Sequence, residues 1–186
     1  MSARAMSLAG MTGLAVPELQ QQARWSTVED GPPPVLAGFV ASDFSPLLAA
    51  AADRCLSARY SSPPVPAGDR IALVLLSGSG DRVSAAQVRR SIAESRRIGP
   101  LYFFQSVPNS VAGWIAAHWG LTGPVLCLCP MAEPLADGLA EAALLIADGE
   151  ADAVLLLSVE QAGEVDDLKH SGTDVANAWL VGGDRR

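Results

Sequence analysis

The sequence predicts an α/β fold, built as a mostly parallel five-stranded sheet with helices on both faces. Three observations predict it. The runs Ile71–Leu76, Val125–Cys129 and Ala153–Ser158 are apolar without polar alternation, the pattern of strands covered on both sides. Stretches of helical periodicity separate them, as crossovers between parallel strands require. The chain has 186 residues, 49% hydrophobic and 18% charged, enough for one packed core without a disulfide or metal staple.

Residues 1–43 are poorly patterned, and Thr27–Pro34 carries loop chemistry in its glycine and three successive prolines. A short strand is expected at Leu36–Val40 or near Leu14–Val16. From position 44 to 182 the pattern sharpens into one lobe. Ser45 and Pro46 suit the N-cap and first position of an Ala/Leu-rich helix over Leu47–Ala58. After the strand Ile71–Leu76, the turn Ser77–Gly80 leads to a helix over Ser84–Arg97 with Val88, Ile92 and Ser95 inward. A helix over Val107–Trp119 ends at Gly120. The next helix, Leu135–Ala147, is apolar nearly all round and reads as a buried central helix. A last strand is expected over Val175–Val181, and residues 183–186 form a tail.

Composition excludes several classes. A net charge of −7 is unsuited to a nucleic-acid backbone. No apolar run reaches the ~18 to 20 residues of a membrane span. Met6–Val16 imitates a signal peptide, but Ser7, Gly10, Thr12 and Gly13 dilute it and no cleavage site precedes Pro17. Three cysteines cannot close a disulfide framework, which leaves a cytoplasmic location as the expectation. Ser77-Gly78-Ser79-Gly80 starts like a dinucleotide fingerprint but has Val83 at the third glycine position, so no cofactor is expected. No metal site is expected either, since Cys127-x-Cys129 lacks a second ligand pair. His118 and His170 read as a helix-face and a loop histidine, and no Gly-x-Ser-x-Gly elbow supports serine catalysis.

The informative stretch runs from Gly99 to Glu160. Pro108-Asn109-Ser110-Val111-Ala112-Gly113 opens a helix, Leu121-Thr122-Gly123-Pro124 forms a turn, and Gly149-Glu150-Ala151-Asp152 leads into a strand ending at Glu160. In order and spacing these motifs resemble the N-terminal lobe of β-ketoacyl synthases, members of the thiolase-like superfamily. The resemblance covers residues 70–160 well and extends to 35–182. It implies a single thiolase-like lobe in which the strand after the Leu-Thr-Gly-Pro turn delivers a catalytic cysteine to the N-terminus of a buried helix. Spacing from Gly123-Pro124, and backward from Gly149, places that nucleophile at Ala132. A helix N-terminus lowers a thiol pKa and offers amide donors to an oxyanion, and a methyl group uses neither. The family's catalytic histidines belong to a second lobe, and this chain stops near the end of the first. The resemblance therefore implies a non-catalytic subunit, similar to chain-length factors, that pairs with a catalytic ketosynthase in polyketide, polyene or fatty-acid-type assembly.

The same resemblance puts Phe103, Phe104, Gln105, Asn109, Val125, Cys127, Cys129 and Met131 at a partner interface or acyl tunnel. It also makes Val125–Cys129 a sheet edge that pairs with another subunit. An apolar edge of this kind needs a partner, either a ketosynthase or a second copy. Arg89, Arg90, Arg96 and Arg97, expected on one helix, form the local basic patch of an acidic chain and suit docking of an acyl carrier protein. Two other readings stay open: a homo-oligomeric module that binds acyl groups or carriers unaided, and an acyltransferase or thioesterase using Cys127 or Cys129.

Overall fold

A computed structural model describes residues 14–130, 133–165, 168–170 and 173–182. Its strands are β1 (Glu18–Ser26), β2 (Ile71–Leu76), β3 (Val125–Leu128), β4 (Ala153–Glu160), β5 (Gly163–Val165), β6 (Leu168–His170) and β7 (Val175–Gly182). Its helices are α1 (Phe44–Tyr60), α2 (Arg82–Ala93), α3 (Pro100–Ser106), α4 (Pro108–Trp119) and α5 (Pro134–Ala147).

The main sheet has five strands in the order β1-β7-β4-β2-β3, and β5 and β6 form a separate hairpin. β4, β2 and β3 are parallel, whereas β7 runs antiparallel to both β4 and β1. The sheet is thus mixed rather than mostly parallel. The cause is the connection: β2 reaches β3, and β3 reaches β4, through crossover helices, while the β4–β7 link carries the β5–β6 hairpin and, among its described residues, no helix.

Helices do cover both faces. α1 and α4 bury Leu47, Leu48, Leu56, Ile115 and Trp119 against Leu73, Leu75, Leu155 and Leu157. On the opposite face α5 lies over Val74, Leu76, Val154 and Leu156. β2 is buried at every position and β4 at all but its last, as their unbroken apolar runs predict. Arg70 joins their starting ends, its guanidinium 3.0 Å from Asp152 and donating to Gly149 O at 2.7 Å.

Several local expectations are corrected. The first strand is neither Leu36–Val40 nor Leu14–Val16. β1 contains Gln20, Gln21 and Gln22, a polar run readable as a strand only once it is known to be a sheet edge with one face on α1. Ala23 and Trp25 supply that face. Arg54 of α1 lies 4.4 Å over the Trp25 ring and pairs with Asp30 at 2.9 Å, clasping the end of β1 to the helix. The Ser26 backbone N–H, followed by Arg54, holds the Asp30 carboxyl below its usual range. α1 begins at Phe44, with Asp43 rather than Ser45 before it.

α2 starts at Arg82 and stops at Ala93, so it does not reach Arg97. Asp81 caps it by accepting from Ser84 N at 2.9 Å. Its expected inner residue Ile92 is exposed, because α2 packs on α3 and β5 rather than on the main sheet. α3 falls between the helices expected to end at Arg97 and to begin at Val107, where the sequence predicts none. α5 buries only Gly138, Ala142 and Ala143 fully and exposes Leu135 and Leu144, so it is not a buried central helix in this chain.

Candidate partner interface

The C-terminal ends of the parallel strands carry the chain's distinctive chemistry. After β2, the turn Ser77–Asp81 directs its donors inward to protein. Gly78 N donates to Glu160 Oε1 at 3.2 Å and Ser79 Oγ donates to Glu160 Oε2 at 3.0 Å. The carboxylate at the end of β4 therefore ties the turn after β2 to the neighbouring strand.

β3 lies at the edge of the sheet, where the resemblance implies it. Gly120 ends α4 in the left-handed conformation, φ 67°. Gly123 then lies flat on β2, donating to Ile71 O at 3.0 Å, and Leu73 N donates to Pro124 O at 2.9 Å. At the far end Ser77 N donates to Leu128 O. Even-numbered residues of β3 thus bond to β2, and the backbone N–H and C=O of Val125 and Cys127 point away from it. Among the described residues no strand pairs with that outer side. Val125 and Leu128 are 42% and 36% exposed there.

The two cysteines do not share an environment. Cys127 packs against the α1/α4 core, and burial pushes its thiol up to about 11. Cys129 lies past the end of the strand and is exposed. Cys55 is also raised to about 11, chiefly by burial. At pH 8 each of these two raised thiols is ~0.1% thiolate, so iodoacetamide labels exposed Cys129 first and the other two at least tenfold more slowly, as peptide mass spectrometry would show. Met131 and Ala132, with the inferred nucleophile position, lie outside the described residues.

α3 brings its aromatic residues to the surface. Phe103 is 72% and Phe104 48% exposed, the latter 5.6 Å from Phe39. Gln105 does not line a surface. It is buried, and its Oε1 accepts from Val40 N at 2.9 Å and Ala41 N at 3.0 Å. Nothing in the sequence signals this clasp, which joins residues 64 and 65 positions apart. Asn109 is exposed on the first turn of α4. Of the two tryptophans on that helix, Trp119 is buried and Trp114 stacks on exposed His118, with ring centres 4.8 Å apart.

The four arginines do not share a helix. Arg89 and Arg90 are exposed on α2, whereas Arg96 and Arg97 lie in the loop to α3. That loop and the two helices enclose an open cleft of ≈170 Å³ lined by Arg96, Arg97, Gln87, Ser91 and Tyr102. Arg96 also pairs with Glu94 at 2.7 Å. Among the described residues no group of three or more His, Cys, Asp or Glu is placed to hold a metal, and no helix is long and apolar enough to cross a membrane.

The class follows from fold and motifs together: an α/β lobe with a capped βα turn, an exposed edge strand and a helix after it. The β-ketoacyl synthase N-terminal domain model matches residues 44–167, and the chain belongs to that family. A comparison with curated proteins finds no significant match. Among solved structures, the chain is similar to one in the ketosynthase ApeO in complex with its chain length factor ApeC from Xenorhabdus doucetiae, at 20% identity and TM-score 0.66. That match covers 90% of this chain and 79% of the other. It is also similar to the ishigamide ketosynthase/chain length factor, at 16% identity and TM-score 0.69, covering 91% of this chain and 63% of that one. An oxazolomycin ketosynthase domain from Streptomyces albus shares the fold at 14% identity and TM-score 0.56, the match spanning 76% of this chain and 27% of that domain.

Proposed function

We propose that this chain is a non-catalytic, chain-length-factor-like subunit that pairs through the open side of β3 with a catalytic β-ketoacyl synthase. The observation that carries the reading is the edge strand, which presents unpaired backbone groups and apolar side chains with no charge to deter pairing. The opposite sheet edge, β1, is blunted by glutamines, Arg24 and an irregularity between Leu19 and Gln21. The likeness to chains of two ketosynthase/chain length factor structures supports the same reading.

The absence of catalysis rests on Ala132 at the nucleophile position inferred from spacing. Neither remaining thiol of this region stands at the start of α5: Cys127 packs on the α1/α4 core and Cys129 lies five residues before Pro134. The chain alone then turns over no acyl thioester, and an acyl-cysteine intermediate at Cys127 or Cys129 that forms and breaks down with turnover would refute this part. Affinity purification from its own cells with native mass spectrometry tests the pairing. A full-length ketosynthase in fixed stoichiometry supports it, and recovery of only self-oligomers or of a carrier protein replaces it with a binding module that works unaided.

The basic loop supplies a place for an acyl carrier protein in such a complex. Replacing Arg96 and Arg97 together by Glu would weaken carrier binding at least tenfold at low salt, measured by titration calorimetry. Unchanged affinity would remove the arginines from the docking surface.

A further inference from the structure

Charge is distributed unevenly along this chain. The whole carries −7, yet residues 82–106 hold Arg82, Arg89, Arg90, Arg96 and Arg97 against the single carboxylate of Glu94. That segment is α2, α3 and the loop between them, and Arg96 and Arg97 line the open cleft of ≈170 Å³ that it encloses. The backbone brings them there. Ser95 adopts the left-handed conformation, φ 53°, and its N–H donates to Ile92 O at 3.0 Å, while Arg96 N donates to Ser91 O at 2.8 Å. These two bonds close α2 in a Schellman turn, which reverses the chain and folds the arginine pair back beside the helix end.

The walls of the cleft supply further donors. Gln87 and Ser91 share one face of α2 at helical spacing, and Tyr102 comes from α3. Tyr102 Oη donates to Gln87 Oε1 at 2.6 Å, which leaves the NH2 group of that amide to donate elsewhere. Burial, seconded by the charge of Asp81, raises the Tyr102 hydroxyl above its usual range, so it stays protonated. Glu94 takes Arg96 Nε at 2.7 Å and leaves its two terminal nitrogens, and Arg97 has no partner among the described residues. No carboxylate is among the residues that line the cleft. Offsetting the dipole at the end of α2 would ask only for positive charge. It does not account for a concave site where two guanidinium groups meet hydroxyl and amide donors.

We infer that the α2–α3 cleft is a binding site for a phosphate group, held by Arg96 and Arg97 and oriented by Ser91 and Gln87. Two guanidinium forks present paired N–H groups to the several oxygens of a phosphate, whereas a carboxylate fills one fork with its two oxygens. Tyr102 is a positioning residue, since its hydroxyl proton is spent on turning the Gln87 amide. Because the cleft is open, the phosphate can belong to a free small molecule or to the arm of a carrier protein. The second source rests on the carrier-docking reading above, and the first does not.

Nitrogen NMR of the purified chain, titrated at constant ionic strength with inorganic phosphate, phosphopantetheine and phosphate-free pantetheine, tests the site. The two phosphates should shift the signals of residues 91 and 96–99, and pantetheine should not. Arg97→Gln should weaken the affinity about tenfold or more, and Arg97→Lys, which keeps the charge without the fork, should recover part of it. Both should melt close to the wild type, because the side chain is exposed. Tyr102→Phe releases the Gln87 amide and should weaken binding by about threefold. A carrier protein then separates the sources. Tighter binding of the carrier bearing its phosphopantetheine arm than of the bare carrier assigns the phosphate to the carrier. Equal binding of the two carriers, with a response to inorganic phosphate, upholds the site and assigns it to free phosphate compounds. No response to either phosphate, an equal response to pantetheine, or a response unmoved by Arg97→Gln overturns the site. Carrier binding that still falls when Arg96 and Arg97 are replaced by Glu would then leave the docking surface standing without it.

Discussion

Val125→Lys should abolish stable pairing with the partner while leaving the lobe folded. Val125 is partly exposed at the outer side of β3, and its outward N–H and C=O are the groups a second strand would engage. A lysine there is the device by which natural sheet edges resist pairing. Within a paired interface the ammonium would be desolvated without a counter-charge, and dissociation should rise by 100-fold or more, the scale of a central interface residue. Size-exclusion chromatography with light scattering would show separate chains where the wild type elutes as a complex. Cys127→Ser is the useful contrast, because its side chain faces the core: it should lower stability with much less effect on affinity for the partner. An intact complex with Val125→Lys would move the partner surface off this edge and would sink the proposed pairing.

Gly123→Ala should be among the most destabilising single methyl additions available in the described chain. A Cβ at this position would stand 2.6 Å from Ala72 N and 2.8 Å from Ile71 C, both backbone atoms of the central strand β2. No side-chain rotation relieves such a contact, so the Leu-Thr-Gly-Pro turn must lift from β2. The bonds from Gly123 N to Ile71 O and from Leu73 N to Pro124 O weaken with it. Overpacking of this kind costs about 3 kcal/mol, a drop of roughly 6–12 °C in melting temperature for a domain of this size. Gly149→Ala, where φ is +73° but open space surrounds the Cβ, should cost about 1 kcal/mol. Calorimetry on both variants separates close approach from backbone conformation. Equal losses would show that the turn, and not its contact with β2, needs glycine at 123.

Those two positions show how differently the site was legible. Gly123 belongs to a motif whose spacing could be read against the flanking strand, and its role depends on neighbours a few residues away in the fold's simplest unit. The same holds for β2, β4, α4 and the Gly120 stop, where unbroken apolar runs and a left-handed glycine each answer to local backbone rules. β1 was missed because Gln20–Gln22 looks like loop until β7 pairs with it, and its single covered face rests on α1 from a different part of the chain. The helical span of the arginine patch was overread: α2 ends at Ala93, and Arg96 and Arg97 turn instead into the cleft before α3.

By itself the sequence determined the α/β class, the order of the crossover units, the family and the absence of a thiol at position 132. Each depends on residue type and spacing along the chain. Only the tertiary structure decided that the sheet is mixed, that α5 keeps an exposed side and that Gln105 clasps the backbone of Val40 and Ala41. Strand direction follows from what the connection contains, burial from what packs opposite, and a hydrogen bond spanning 65 residues from where two loops meet, none of which is a property of local sequence.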